Sequence, residues 1–188
     1  MTADWYLMRA TGLVSLIFLT LVVALGVATS TRARPRGLPL YVTTTIHRNA
    51  ALLAVAFLAV HVATALIDPD AAVQLTAVLV PFTAHWAPFW IGLGALALDL
   101  VAALVLTSLI RRRLPYRLWR RIHWAAYAAW PLALAHGLGA GTDRGTGWMR
   151  TVDAACVGLV GAVLVWRLTG AGEPRPRDPG PTRDRLAA

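Results

Sequence analysis

Residues 46–67, IHRNAALLAVAFLAVHVATALI, form a mostly apolar run with two histidines, His47 and His61, fourteen residues apart. A second apolar run, HWAAYAAWPLALAHGL over residues 123–138, carries His123 and His136, thirteen residues apart. At about 1.5 Å of rise per residue, each pair spans roughly 20 Å of α-helix, or two-thirds of a hydrocarbon core about 30 Å thick. In a membrane, each helix would therefore hold one imidazole in each leaflet.

The composition is that of an integral membrane protein. Of the 188 residues, 57% are hydrophobic and 14% are charged, and the mean hydropathy is +0.59. The net charge of +9 comes from arginines beside apolar runs, not from a stripe with interleaved aromatic residues, so we expect membrane lipid and no nucleic acid as a partner. All 18 basic residues are arginine, which indicates codon bias from a GC-rich genome, and we expect a bacterial protein. The single cysteine, Cys156, excludes a disulfide framework and is expected to pack in the core.

Five segments are long and apolar enough to span a bilayer. The first carries no charge between residues 10 and 31, too long for a signal-peptide core, and it lacks a basic leading region, so we interpret it as a retained helix. The sequence DPD at 68–70 ends the second, and Trp148 and Trp166 bracket the fifth as interfacial anchors. The predicted spans are about 6–29, 46–67, 89–110, 123–138 and 151–168. We therefore predict an all-α membrane helix bundle over residues 1–169.

Arginine placement predicts the orientation of the bundle. Arginines cluster after the first and third spans, in residues 32–48 and 111–121, whereas residues 68–88 hold no basic residue. By the positive-inside rule the arginine-rich loops face the cytoplasm, which predicts an N-out, C-in topology with five crossings of the plasma membrane. Four arginines and four prolines in residues 170–188 predict a disordered cytoplasmic tail.

In this topology the second and fourth spans both run outward, so their histidines lie at matching depths. His47 and His123 fall near the cytoplasmic face, and His61 and His136 fall toward the outer leaflet. Two six-coordinate hemes, one held by each pair, would satisfy all four imidazoles. A single histidine near a helix end is more often an interfacial or hydrogen-bonded residue, but four at matched depths favour heme ligands.

The thirteen-residue pair does not fit an ideal helix. At about 100° per residue, fourteen residues return within roughly 40° of the starting face, whereas thirteen miss it by about 140°. Pro131 removes a backbone donor and can kink the helix, which would change its phase between the two histidines. A frayed first turn at His123 is the other explanation.

The two histidine pairs and the basic loop between their helices resemble the ferric reductase-like transmembrane domain. That superfamily contains the membrane parts of NADPH oxidases and ferric reductases, and the heme subunit of periplasmic methionine sulfoxide reductase. The resemblance covers roughly residues 5–168. It implies two hemes b, held by His47 with His123 and by His61 with His136, that pass single electrons across the membrane.

The chain shows no sequence signature of its own electron source. It has no GxGxxG or GxxxxGK motif, and it ends about twenty residues after residue 168, where NADPH oxidases continue into a flavin and nicotinamide domain. Residues 80–83, VPFT, resemble part of the flavin-binding HPFT motif, but Val80 replaces the histidine and the loop faces outward. We therefore expect a membrane heme subunit of an oxidoreductase, fed by a cytoplasmic flavoprotein reductase or a quinol and serving an outward-facing electron acceptor. The alternatives are a quinol-fed subunit of a periplasmic reductase and, from another class, a heme-free membrane scaffold or metal transporter.

Three arginines are candidate partners of heme propionates. Arg48 and Arg121 lie beside the cytoplasmic-side histidines, and Arg9 lies one turn inside the outer end of the first span, where an unpaired charge is costly. For Arg48 and Arg121 the alternative is ordinary positive-inside charge. For Arg9 it is snorkelling to the outer headgroups.

Four further side chains have an open role. Asp99, near mid-membrane, is expected either to accept a hydrogen bond from a ligand imidazole or to be a neutral structural acid. Phe57 and Trp130 lie between the histidines of their spans, where they either shorten the gap between hemes or pack in the core. His85, in the outward loop, either contacts an acceptor or metal or is simply solvated.

Overall fold

The computed structural model describes residues 2–30, 40–143 and 145–169. Within these ranges the chain forms helices and no strand, which confirms the predicted all-α fold. The helices are α1 (Ala3–Ser30), α2 (Leu40–Ile67), α3 (Leu75–Leu79), α4 (Pro88–Leu109), α5 (Tyr116–His123), α6 (Ala126–Ala140) and α7 (Gly147–Leu168), with a short 3₁₀ turn at Arg111–Arg113. The tail predicted at 170–188 and the arginines at 32–36 lie outside the described residues.

Four helices are long and apolar enough to cross a membrane. They are α1, α2, α4 and α7, with candidate spans Ala3–Ala28, Tyr41–Ile67, Pro88–Leu109 and Gly147–Leu168. The shortest of these spans has 22 residues, which is about 33 Å of helix and enough for the hydrocarbon core. These helices correspond to the first, second, third and fifth predicted spans, and the protein is a multi-pass membrane protein.

The fourth predicted span is divided in the structure. Helix α5 ends at His123 and α6 begins at Ala126, and α6 has only 15 residues, about 22 Å. The turn between them is held by i to i+3 hydrogen bonds of 3₁₀ type. These run from Ala125 N to Ile122 O at 2.9 Å, from Tyr127 N to Trp124 O at 3.0 Å, and from Ala128 N to Ala125 O at 3.0 Å.

This turn accounts for the phase of the thirteen-residue histidine pair. In a 3₁₀ turn each residue adds about 20° more rotation than in an α-helix, so the turn around Trp124 and Ala125 reduces the roughly 140° offset. Pro131 lies inside α6, and the helix continues through it. The rotation that brings His123 and His136 toward the same side therefore arises at residues 122–128. The sequence pattern places it at Pro131 instead.

Helix α1 lies at the centre of the bundle and packs on α2, α6 and α7, while α4 packs on α6. Ser15 Oγ donates to the Ala54 carbonyl at 3.0 Å and joins α1 to α2, and the Trp130 indole donates to Thr20 Oγ1 at 2.9 Å and joins α6 to α1. The buried core contains Leu16, Val23, Trp130, Leu134, Cys156 and Val160. Cys156 and Trp130 are thus packing residues. The backbones of α2 and α6 make no comparable contact over the described residues, which leaves a gap between them.

Candidate functional site: two imidazole pairs

The gap between α2 and the α5/α6 segment is bridged by the four histidines. The rings of His47 and His123 have centroids 6.3 Å apart and planes at 62°, and the rings of His61 and His136 have centroids 6.3 Å apart and planes at 74°. The structure therefore brings together the same two pairs that matching depth predicts. Because the two separations are equal, the pairs form two layers of one repeated geometry.

Three of the four imidazoles are oriented by a backbone carbonyl through Nδ1. The hydrogen bonds run from His47 to Val22 O at 3.1 Å, from His61 to Met8 O at 2.8 Å, and from His136 to Trp90 O at 2.9 Å. A carbonyl oxygen only accepts, so each of these Nδ1 atoms carries the proton and each Nε2 keeps its lone pair. This is the arrangement that holds metal-ligating histidines in one tautomer.

A glycine stands four residues after each of these carbonyls and gives the ring access to it. Gly26 follows the Val22 carbonyl that contacts His47. Gly12 follows the Met8 carbonyl that contacts His61, and Gly94 follows the Trp90 carbonyl that contacts His136. A helical side chain leans toward the preceding turn, so a residue with Cβ at Gly12 or Gly94 would crowd the ring that contacts the carbonyl. A Cβ on Gly12 would lie 2.8 Å from His61 Nδ1, and one on Gly94 would lie 2.7 Å from His136 Nδ1.

These glycines are functional candidates that the sequence reasoning missed. The signal was present, because Gly12 and Gly26 are fourteen residues apart on α1, the same spacing as His61 and His47 on α2. The approach is closer at Gly12 than at Gly26, where an added Cβ would lie 3.5 Å from His47 Cε1, which is ordinary van der Waals contact. Helix α4 has no second glycine at this spacing, because the residue fourteen positions after Gly94 is Ser108.

His123 differs from the other three histidines. Its Nδ1 is buried and has no hydrogen-bond partner among the described residues. Its ring instead stacks on Trp119, with centroids 4.8 Å apart and planes at 22°. The Arg111 guanidinium lies over the Trp119 ring, 4.5 Å from its centroid.

A cavity of about 440 Å³ is lined by the His61/His136 pair, within the size range of ligand sites in proteins. Its walls come from α1, α2, α4 and α6 and are mainly apolar, with Leu58 and Leu98 among the lining residues. Arg9 also lines this cavity. The His61/His136 pair therefore has a partly open, mainly apolar cavity beside its imidazoles, with the cationic Arg9 among the residues that line it.

Each candidate propionate partner has a definite position. The Arg9 guanidinium forms an ion pair with Asp143, including a 2.8 Å hydrogen bond from Nε, donates to Thr142, and lies 4.8 Å from the Trp5 ring centroid. Arg9 is therefore held by the loop between α6 and α7. Arg48 on α2 and Arg121 on α5 are exposed and form no ion pair with another described residue.

Three of the remaining candidates, Asp99, Phe57 and His85, show no hydrogen bond or ring contact with the four histidines in the part of the chain that the structure describes. Asp99 is exposed on α4 and accepts no hydrogen bond from an imidazole, since Nδ1 of three histidines donates to carbonyls and Nδ1 of His123 has no partner among the described residues. Of the two roles open for Asp99, these contacts among the described residues favour that of a structural acid. Phe57 stacks on Phe18 of α1, with centroids 5.9 Å apart, and so packs between helices. His85 Nδ1 accepts a 2.8 Å hydrogen bond from the Gln74 side-chain amide nitrogen.

The donor set of each layer is compatible with heme and with few other metal groups. Among the described residues, no three or more His, Cys, Asp or Glu side chains converge as a metal site. Two facing imidazoles suit a metal whose other four ligands belong to a planar macrocycle. Two imidazoles that share one iron, with metal–nitrogen bonds of about 2 Å, have ring centres roughly 6 Å apart, which agrees with the observed geometry. The residues present therefore fit axial heme ligation in both layers.

Comparison with known families agrees with this geometry. A family model described as "Ferric reductase like transmembrane component" matches residues 11–134, about two-thirds of the chain. The match includes His47, His61 and His123 and ends two residues before His136. Neither the curated proteins nor the solved structures gave a significant match. With its bundle of membrane helices and its paired histidines, the chain belongs to the ferric reductase-like transmembrane family.

Proposed function

We propose that this protein carries single electrons across the plasma membrane through two hemes b. His47 and His123 would hold one heme, and His61 and His136 would hold the other. The observation that carries the proposal is the equal 6.3 Å separation of the two imidazole pairs, on helices whose backbones stay apart. Each bound heme would supply an iron centre that gains and loses one electron.

The protein's own residues would orient the ligands and exclude water. The carbonyls of Val22, Met8 and Trp90 hold three imidazoles with Nε2 free for the metal. The apolar walls around His61 and His136 keep solvent from that layer. Arg9, Arg48 and Arg121 are the cations available to propionates, and for Arg9 such a contact would compete with or add to its ion pair with Asp143.

Arginine placement supports an outward direction of electron flow. With residues 111–121 in the cytoplasm, the His47/His123 pair lies near the inner face and the His61/His136 pair near the outer face. Heme iron cannot accept a hydride, so a nicotinamide must deliver its electrons through another cofactor. A cytoplasmic flavoprotein reductase or a membrane quinol would be the donor, and an outward-facing acceptor would receive the electrons.

Heme content tests the proposal directly. The purified chain should contain about two hemes b by the pyridine hemochromogen assay, with low-spin bis-histidine spectra. His61→Ala or His136→Ala should remove the same single heme and leave the other. His85→Ala is the matched control, because this histidine lies in a loop and pairs with Gln74. Wild-type protein without heme, purified from cells amply supplied with heme, would contradict the proposal.

A further inference from the structure

His123 has lost the carbonyl contact that orients the other three histidines. No glycine of the described residues stands near its ring, and its Nδ1 is buried without a partner there. A ligand that can rotate about its side-chain bonds would present Nε2 poorly to a metal. Another contact must therefore set the orientation of this ring.

The contact in the structure is a stack of three side chains. Trp119 and His123 are four residues apart and lie on one face of α5, with their rings nearly parallel at 22° and 4.8 Å. Arg111, in the turn after α4, lies over Trp119 at 4.5 Å from its centroid. A cation over an indole face is attracted by the ring quadrupole, so Arg111 holds Trp119 in place from the α4 side.

The environment of Trp119 supports a positioning role. Its indole Nε1 is buried and has no hydrogen-bond partner among the described residues. A buried indole usually finds a partner for this N–H whatever its role, so the support for a positioning role comes from the ring contacts. Here the faces of the ring carry the contacts, with His123 and Arg111.

We propose that the Arg111/Trp119/His123 stack replaces the backbone hydrogen bond at the fourth ligand, with Trp119 and Arg111 as positioning residues for His123. This inference rests on the proposed function and concerns one of its two hemes. Because Nδ1 of His123 has no acceptor among the described residues, this imidazole would be a weaker donor to iron than the other three. The heme of the His47/His123 pair therefore depends on Trp119 for retention and for the orientation of its ligand plane.

The test compares Trp119→Ala and Trp119→Phe in the full chain. The readouts are heme content, the midpoint potential of each heme, and the low-spin electron paramagnetic resonance signal, which depends on the angle between the two imidazole planes. His61→Ala and His47→Ala, each left with one heme, provide the reference signals. Trp119→Ala should weaken retention of the His47/His123 heme about tenfold or shift its potential and its signal, and should leave the other heme unchanged. Trp119→Phe keeps a stacking ring and should preserve both.

Three further variants separate stacking from general damage at this end of the bundle. Trp124→Ala removes an adjacent indole that is 59% exposed, and it should change neither heme. Arg111→Gln should alter the same heme as Trp119→Ala, to a smaller extent, whereas Arg112→Gln should not. An unchanged His47/His123 heme in Trp119→Ala would overturn the inference while leaving the proposed function intact. Equal disturbance of both hemes by Trp119→Ala would also overturn it, whereas the absence of heme from the wild type would refute the proposed function itself.

Discussion

At the scale of single residues, three of the histidines are oriented by the same unit. It consists of a backbone carbonyl, the glycine four residues after it, and the histidine of the facing helix that donates to the carbonyl. The glycine has no side chain to cover the carbonyl one turn before it, so the imidazole of the facing helix reaches the oxygen. That carbonyl already belongs to a helix, and accepting a second hydrogen bond uses its remaining lone pair. The unit therefore orients a ring without placing a second polar side chain in the membrane.

We predict that Gly12→Ala and Gly94→Ala each lower retention of the His61/His136 heme about tenfold or more. The added methyl groups would lie 2.8 Å and 2.7 Å from the Nδ1 atoms of His61 and His136, so the rings must move. Overpacking of this kind costs about 1–3 kcal/mol. The measurement is heme content after detergent purification.

Gly158→Ala is the matched control for these variants. It is also a glycine within a membrane helix, but its added Cβ would meet nothing within 4 Å. It should retain both hemes. Full retention in Gly12→Ala and Gly94→Ala as well would show that the close approach is not required.

At the scale of helices, the break between α5 and α6 sets which faces the histidines share. A straight helix would point His123 and His136 to different sides, whereas the 3₁₀ turn at residues 122–128 rotates them toward α2. Helix α1 supplies two of the three carbonyl contacts and also the centre of the packing. Ligand geometry and bundle stability therefore depend on the same helix.

We predict that Pro131→Ala retains both hemes and does not destabilise the protein. The α6 helix is continuous through residue 131, and alanine restores a backbone donor that proline lacks. Insertion of one alanine between Trp124 and Ala125 should instead rotate His136 by about 100° and remove one heme. Reduced-minus-oxidised spectra and thermal unfolding in detergent measure both effects. Loss of a heme in Pro131→Ala would show that Pro131, not the turn before it, sets the relative rotation of His123 and His136.

At the scale of the whole molecule, the bundle has one arginine-rich end and one end poor in arginine. The rich end contains α5 and the Arg111–Arg113 turn beside the His47/His123 pair. The other end contains α3, the loop with His85, and the ion pair of Arg9 with Asp143. Because positive residues are retained on the cytoplasmic side, this asymmetry predicts which imidazole pair faces which compartment.

We predict that a cysteine at Arg112 resists impermeant thiol reagents in intact cells and that one at Gly145 reacts. Both positions are exposed in the fold, so only the membrane should separate them. Cys156, although buried, is first replaced by serine to remove background labelling. Permeabilised cells, in which both sites should react, provide the control. The reverse labelling pattern in intact cells would show that the protein has the opposite orientation, with the His61/His136 pair on the cytoplasmic side.

The sequence by itself determined the fold class, four of the five spans and the pairing of His47 with His123 and His61 with His136. Apolar length and helical rise suffice for these, because a bilayer leaves a helix few alternatives to crossing it. Only the tertiary structure decided the helix break at Trp124, the carbonyl and glycine units, the Arg9 ion pair with Asp143 and the isolation of Asp99 from the ligands. Each of these depends on the rotation of one helix against another. The order of residues along a chain predicts how deep in the membrane each side chain lies. It does not predict how far each helix is rotated about its own axis where it packs on its neighbour.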